Sequence, residues 1–117
     1  MPNPKRGEIW QVQFDPALTS EGSGEHPAIV FSINKLNDSK MPLTTVMMLT
    51  SVQPKHEGML NVRLEPDGQN GLTKTSWAQP HIFRAMNKEQ RLIRRRGVLT
   101  ASDFERVESA LREVLGL

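Results

Sequence analysis

The sequence contains no cysteine. Disulfides, thiolate zinc sites and cysteine nucleophiles are excluded together, and the chain suits a reducing compartment. Long apolar runs are missing as well. Ala28–Phe31 and Val46–Leu49 are the longest, far short of the roughly 20 residues that a bilayer-spanning helix needs. The opening Met1-Pro2-Asn3-Pro4-Lys5-Arg6 carries charge with no apolar stretch behind it, which is not the form of a signal peptide. A cytoplasmic protein with no membrane contact is expected. No repeat, low-complexity tract or linker interrupts the 117 residues, which fit one domain spanning residues 1–117. The three histidines are scattered, without His-x-x-x-His spacing or an acidic cluster, so neither a metal nor a cofactor is predicted. A glycine-rich loop of the nucleotide-binding kind is also lacking.

Apolar residues are scarce too, at 37%. A chain this lean is expected to cover part of its surface with a partner subunit, as a homodimer. The formal net charge is only +2, so the distribution of charge says more than its sum. Arg84, Lys88, Arg91, Arg94, Arg95 and Arg96 crowd together, opposed only by Glu89. Such a stretch is either a solvated charged face or an electrostatic contact for a phosphate backbone.

From Glu8 to Phe14 the chain alternates, with Trp10, Val12 and Phe14 on one side and Gln11 and Gln13 on the other. That is the pattern of a half-buried strand, closed by Asp15-Pro16. After the flexible segment Thr19–Glu25, the apolar run Ala28–Ile33 reads as a central strand buried on both faces. Thr44–Thr50 is a third strand and Leu60–Leu64 a fourth. Asp67-Gly68 and Asn70-Gly71 mark turns. Thr73–Gln79 and Ile82–Ala85 read as two short strands divided by Pro80, and Asn87–Arg94 as one or two helical turns. The tail is the clearest element. Thr100–Asp103 has the form of a capping box, Phe104, Val107, Leu111, Val114 and Leu115 recur at helical spacing, and Gly116 ends the helix. The fold class is therefore mainly β with a C-terminal helix, a small and partly open β-barrel. Trp10, Phe31 and Val46–Leu49 are its expected core.

Several strings in this order resemble the MazF/PemK toxin family. Arg6-Gly7-Glu8-Ile9-Trp10 followed by Phe14-Asp15-Pro16 looks like its first strand, and Ser20-Glu21 with Gly24 like its Ser-Glu-Gln-x-Gly loop. Pro27–Val30 is similar to its second strand and Leu49-Thr50-Ser51 to the end of its third. Gly71-Leu72, Lys74, Ser76, Arg84 and the ending Val107, Ala110-Leu111, Leu115-Gly116-Leu117 complete the likeness. Membership implies an SH3-like barrel of the MazF/CcdB kind, a homodimer, and a MazE-like antitoxin whose acidic tail folds onto the toxin. It also implies a type II toxin that cleaves single-stranded RNA without a metal. In that chemistry the 2′-OH attacks the adjacent phosphorus and expels the 5′-oxygen, leaving a 2′,3′-cyclic phosphate and a 5′-OH. One proton must be removed, another supplied, and charge on the nonbridging oxygens stabilised.

The resemblance assigns this work mainly to a threonine ending the third strand and an arginine before the second. The threonine is present as Thr50, expected to hydrogen-bond the scissile phosphate. The arginine is not: Gly24-Glu25-His26-Pro27 puts His26 in its place. Imidazole as a group titrates near pH ~6.5, so a histidine can give or take a proton at neutral pH. Either His26 is itself catalytic, or the site is impaired, or activity has moved to another cation. Glu21 matches the loop glutamate as a base or RNA contact, although Gly22 stands where the family has glutamine. Ser51, Lys55, His81 and Arg84 are the expected substrate contacts, and the loops Thr19–Glu25 and Ser51–Gly58 the expected readers of base identity. Two other functions stay open: a catalytically impaired RNA-binding relative, and a CcdB-like gyrase poison.

Overall fold

Ile9 and Trp10 are neighbours on one strand and belong to different cores. The computed structural model describes residues 2–117, so Met1 of the opening segment lies outside it. The elements in chain order are β1 (Glu8–Gln13), β2 (Glu25–Val30), α1 (Asn34–Asn37), β3 (Leu43–Thr50), β4 (Val62–Leu64), β5 (Ser76–Asn87), α2 (Lys88–Arg91), β6 (Leu92–Val98) and α3 (Ala101–Leu115). Six antiparallel strands form one sheet in the order β4-β5-β3-β2-β1-β6, curled into a half-barrel.

Strand alternation splits the apolar residues between the two faces. Ile9, Ile29, Met47, Leu49 and Leu64 meet Val107 and Leu111 of α3 on one of them. Burying each such side chain stabilises the fold by about 1.5–3 kcal/mol. Trp10, Val12, Phe14, Ala28, Val46, Met48 and Ile82 form the second core. The segment after β1 lies over that second core. A Cβ on Gly22 would stand 2.8 Å from Ile82 Cγ2 and 2.9 Å from Met48 Sδ, and its φ is +84°, so only glycine fits there without strain. The residues expected in the core, Trp10, Phe31 and Val46–Leu49, are all buried.

The helix α3 forms as its sequence predicts. Thr100 Oγ1 accepts from Asp103 N at 3.1 Å, and Gly116 closes the last turn in the left-handed conformation. Asp103 does not complete a reciprocal box; its carboxylate faces Arg106 at 3.8 Å. No helix among the described residues is long and apolar enough to cross a membrane.

Three local expectations are corrected. The second strand runs over Glu25–Val30 rather than Ala28–Ile33, because β1 pairs with it as far as Gln13–Glu25. His26 is thereby a strand residue. Thr73–Gln79 and Ile82–Ala85 are not two strands, since β5 runs through a buried Pro80. Met47 pairs with Phe83 and Leu49 with Ala78, so the ladder is irregular around Pro80, where a missing N–H costs no ladder bond. Finally, the helix after Asn87 covers only Lys88–Arg91, and Leu92–Val98 forms a sixth strand on the open side of β1. Pairing with β1 overrides the helix preference of leucine and arginine in that stretch.

Candidate active site

The second core is rimmed by groups that can bind or transfer protons. His26 is half-buried on β2. Its Nε2 donates to Ser23 O at 2.9 Å, and since a carbonyl only accepts, Nδ1 is left as the acceptor end of the ring. Arg84, on β5, lies with its guanidinium carbon 5.8 Å from the Phe14 ring centroid, and its Nη1 reaches Gly22 O at 3.5 Å. Arg84 and His26 thus reach consecutive carbonyls of the segment that covers this face. Thr50 ends β3. The last β2–β3 pair is Ala28–Met48, and His26 and Thr50, each two residues beyond it, share the strand parity of that pair. Thr50 Oγ1 accepts from Val52 N at 3.2 Å, so its hydroxyl proton is free to donate outward.

The expected site residues fall into separate clefts. Glu21, His81 and Arg84 line one of about 390 Å³ together with Ser20, Ile82 and Phe83. His26 and Ser51 border a second, of about 280 Å³, with Glu25, Pro27, Leu72, Thr73, Lys74, Ser76 and Arg96. Lys55 lies in a third, of about 330 Å³, formed by the loop through Asn61. His26 and His81 therefore do not share a cleft. Among the described residues, no three of His, Asp and Glu gather as a metal site would require.

Sequence reasoning gave Arg96 no role of its own. It borders the His26 cleft with Nη1 donating to Gln11 Oε1 at 3.1 Å and Nη2 to Gly71 O at 2.9 Å. Burial, and then the charge of Arg94, hold its pKa below the ordinary arginine value. The basic stretch that contains it carried the only signal. Its members have different fates: Lys88 is buried, with its ammonium donating to Leu36 O, Asn37 O and Ser39 O, and Arg95 pairs with Glu8 at 2.6 Å.

The family described as PemK-like, MazF-like toxin of type II toxin-antitoxin system matches residues 5–115. The chain belongs to this family. It is 32% identical over 120 residues to Endoribonuclease MazF9 of Mycobacterium tuberculosis (strain ATCC 25618 / H37Rv), covering 97% of each protein. MazF (Form-I) from Deinococcus radiodurans has the same fold, with a TM-score of 0.82 at 21% identity over 100% of both chains. An endoribonuclease from a Mycobacterial species, solved in complex with its cognate antitoxin, matches with a TM-score of 0.77 at 21% identity, over 97% of this chain and 96% of that one. In this MazF/PemK-family chain, threonine and histidine occupy the strand ends where the resemblance expects threonine and arginine.

Proposed function

We propose that this chain is the toxin of a type II toxin-antitoxin system and cleaves single-stranded RNA by attack of the substrate's own 2′-OH, as a single domain over residues 1–117. The observation that carries this is His26 and Ser51, the neighbour of Thr50, bordering one cleft with Lys74 and Arg96, in a chain whose 32%-identical relative is named an endoribonuclease. Thr50 donates its hydroxyl proton to a nonbridging oxygen and holds the phosphorus in line. His26 Nδ1 takes the 2′-OH proton, and an acid returns one to the departing 5′-oxygen, leaving the cyclic phosphate and a 5′-OH. Glu21, His81 and Arg84 contact the strand on one side of His26, and Ser51 and Lys55 on the other. The nucleophile belongs to the substrate, so no metal is needed to generate it.

The partners follow from the same reading. Ile33, Met41 and Leu43 stay in solvent around α1, as in a subunit that dimerises with its own copy. A MazE-like antitoxin with an acidic, disordered tail suits the cationic clefts, and a structural neighbour was solved with its cognate antitoxin.

Incubating the purified protein with a long unstructured RNA in the presence of a chelator tests this directly. Cleavage is the expected result. Binding without cleavage would instead favour the impaired relative, which the histidine at position 26 recommends. Neither binding nor cleavage would point to the gyrase-poison reading.

A further inference from the structure

The β1–β6 ladder steps over two residues of β6, Ile93 and Arg96. Ile9 pairs with Gly97 and Trp10 with Arg95, so Arg96 is the extra residue of a β-bulge, a device that re-aims a side chain out of the regular alternation. Its guanidinium is turned toward Gln11 and Gly71. The turn that brings Gly71 there is tight: a Cβ on Gly71 would lie 2.1 Å from Arg96 O. Both acceptors are neutral, and Arg96 makes no ion pair among the described residues. The carboxylate of the cleft, Glu25, is kept from it by an amide, since Gln11 Nε2 donates to Glu25 Oε1 at 3.1 Å while Gln11 Oε1 accepts from Arg96. A half-buried cation is thus fixed in orientation and left without a counter-charge, and its burial disfavours the charged form. Guanidinium has five N–H donors, of which these two bonds use a minority. Exposed Lys74 and the hydroxyls of Ser51 and Ser76 border the same cleft.

We propose that Arg96, with Lys74, forms a subsite for a backbone phosphate of the RNA strand next to His26. The guanidinium that the strand β2 position lacks is supplied from the bulge of β6, as a fixed charge that does not titrate with imidazole. This rests on the ribonuclease reading above and deepens it: Arg96 positions the strand, while proton transfer stays with His26.

The test uses a labelled single strand of RNA in which every 2′-OH is replaced by fluorine, so that binding is read without cleavage. Arg96→Gln should weaken binding by about 10- to 100-fold. It should also reduce the slope of log affinity against log salt by about 0.7, the share of one phosphate contact on a single strand. Arg96→Lys should keep the slope. Arg106→Gln, which removes a charge from α3, should leave it unchanged. Lys74→Gln removes an exposed side chain and reports the subsite without disturbing the fold, so its slope decides if Arg96→Gln does not fold. Wild-type slopes in folded Arg96→Gln, or in Lys74→Gln where the former is unfolded, would overturn the proposal. A protein that binds this strand through Arg96 yet leaves ordinary RNA intact would overturn the ribonuclease reading and leave the phosphate subsite standing.

Discussion

The imidazole of His26 meets the ring of Phe14 edge-on, with centroids 6.3 Å apart and planes at 69°. Phe14 is fully buried in the second core, so the histidine ring packs against a side chain held in the core. With Ser23 O on Nε2, the ring presents one defined nitrogen. His26→Ala should lower the single-turnover cleavage rate by about 10²–10⁴-fold, the usual worth of a positioned proton-transfer group, while RNA binding survives. His26→Arg should recover part of the rate. Equal rates for wild type and His26→Ala would make the histidine a bystander and move attention to Arg84 and His81.

Thr50 is tested by an isosteric change. Thr50→Val keeps the branched strand residue and removes the donor, so kcat should fall by about 10²-fold, in the range for losing one donor to a developing oxyanion. Thr50→Ser should stay within a few-fold of wild type. Similar losses in both variants would indicate a packing role.

Lys88 bears on stability alone. Its ammonium, 1% exposed, donates to three carbonyls at the end of α1 and just beyond it. Lys88→Met should destabilise the fold by about 2–4 kcal/mol, since the buried acceptors lose their donor. Urea unfolding measures this, and a change under about 0.5 kcal/mol would mean that water replaces the ammonium.

Glu8 gives a pH signature. Burial pushes its carboxyl up, but donors from Arg95, Trp10 and Lys5 N outweigh this and hold it below the ordinary value of 4.5. The folded chain binds that proton more weakly than the unfolded one. The stabilisation is therefore complete above the unfolded value and lost as pH falls through the lower folded value. Glu8→Gln should cost about 1–2 kcal/mol at neutral pH. The gap from wild type should narrow as pH falls below 4.5 and through the lower folded value, which thermal melts at decreasing pH would reveal.

Elements whose signal is local were legible in the sequence. The helix α3 carries its cap, its apolar period and its terminal glycine within one stretch, and β1 shows its alternation. Strand β6 was hidden, because an edge strand with Ile93, Arg94 and Arg95 in solvent buries little besides Leu92 and has no alternating pattern. Its partner, β1, lies some 80 residues earlier in the chain. Pro80 read as a break because the irregular register that accommodates it is a property of β3 and β5 together. In the site, Thr50 and His26 were found through their neighbours in sequence. The division of Glu21, His81 and Arg84 from His26 and Ser51 depends on how the segment through Gly22 seats on Met48 and Ile82, a tertiary fact. Arg96 stood among like charges, and nothing local set it apart from Arg94 and Arg95.

The sheet has two edges, β4 and β6. Strand β4 is three residues long, and β6 is bulged at Arg96 with Arg94 and Arg95 in solvent. Short, bulged and charged edges refuse a further strand. The same arginines therefore guard the toxin against stacking with its own copies into fibrils. A chain stripped of them would present a less charged and more adhesive sheet edge.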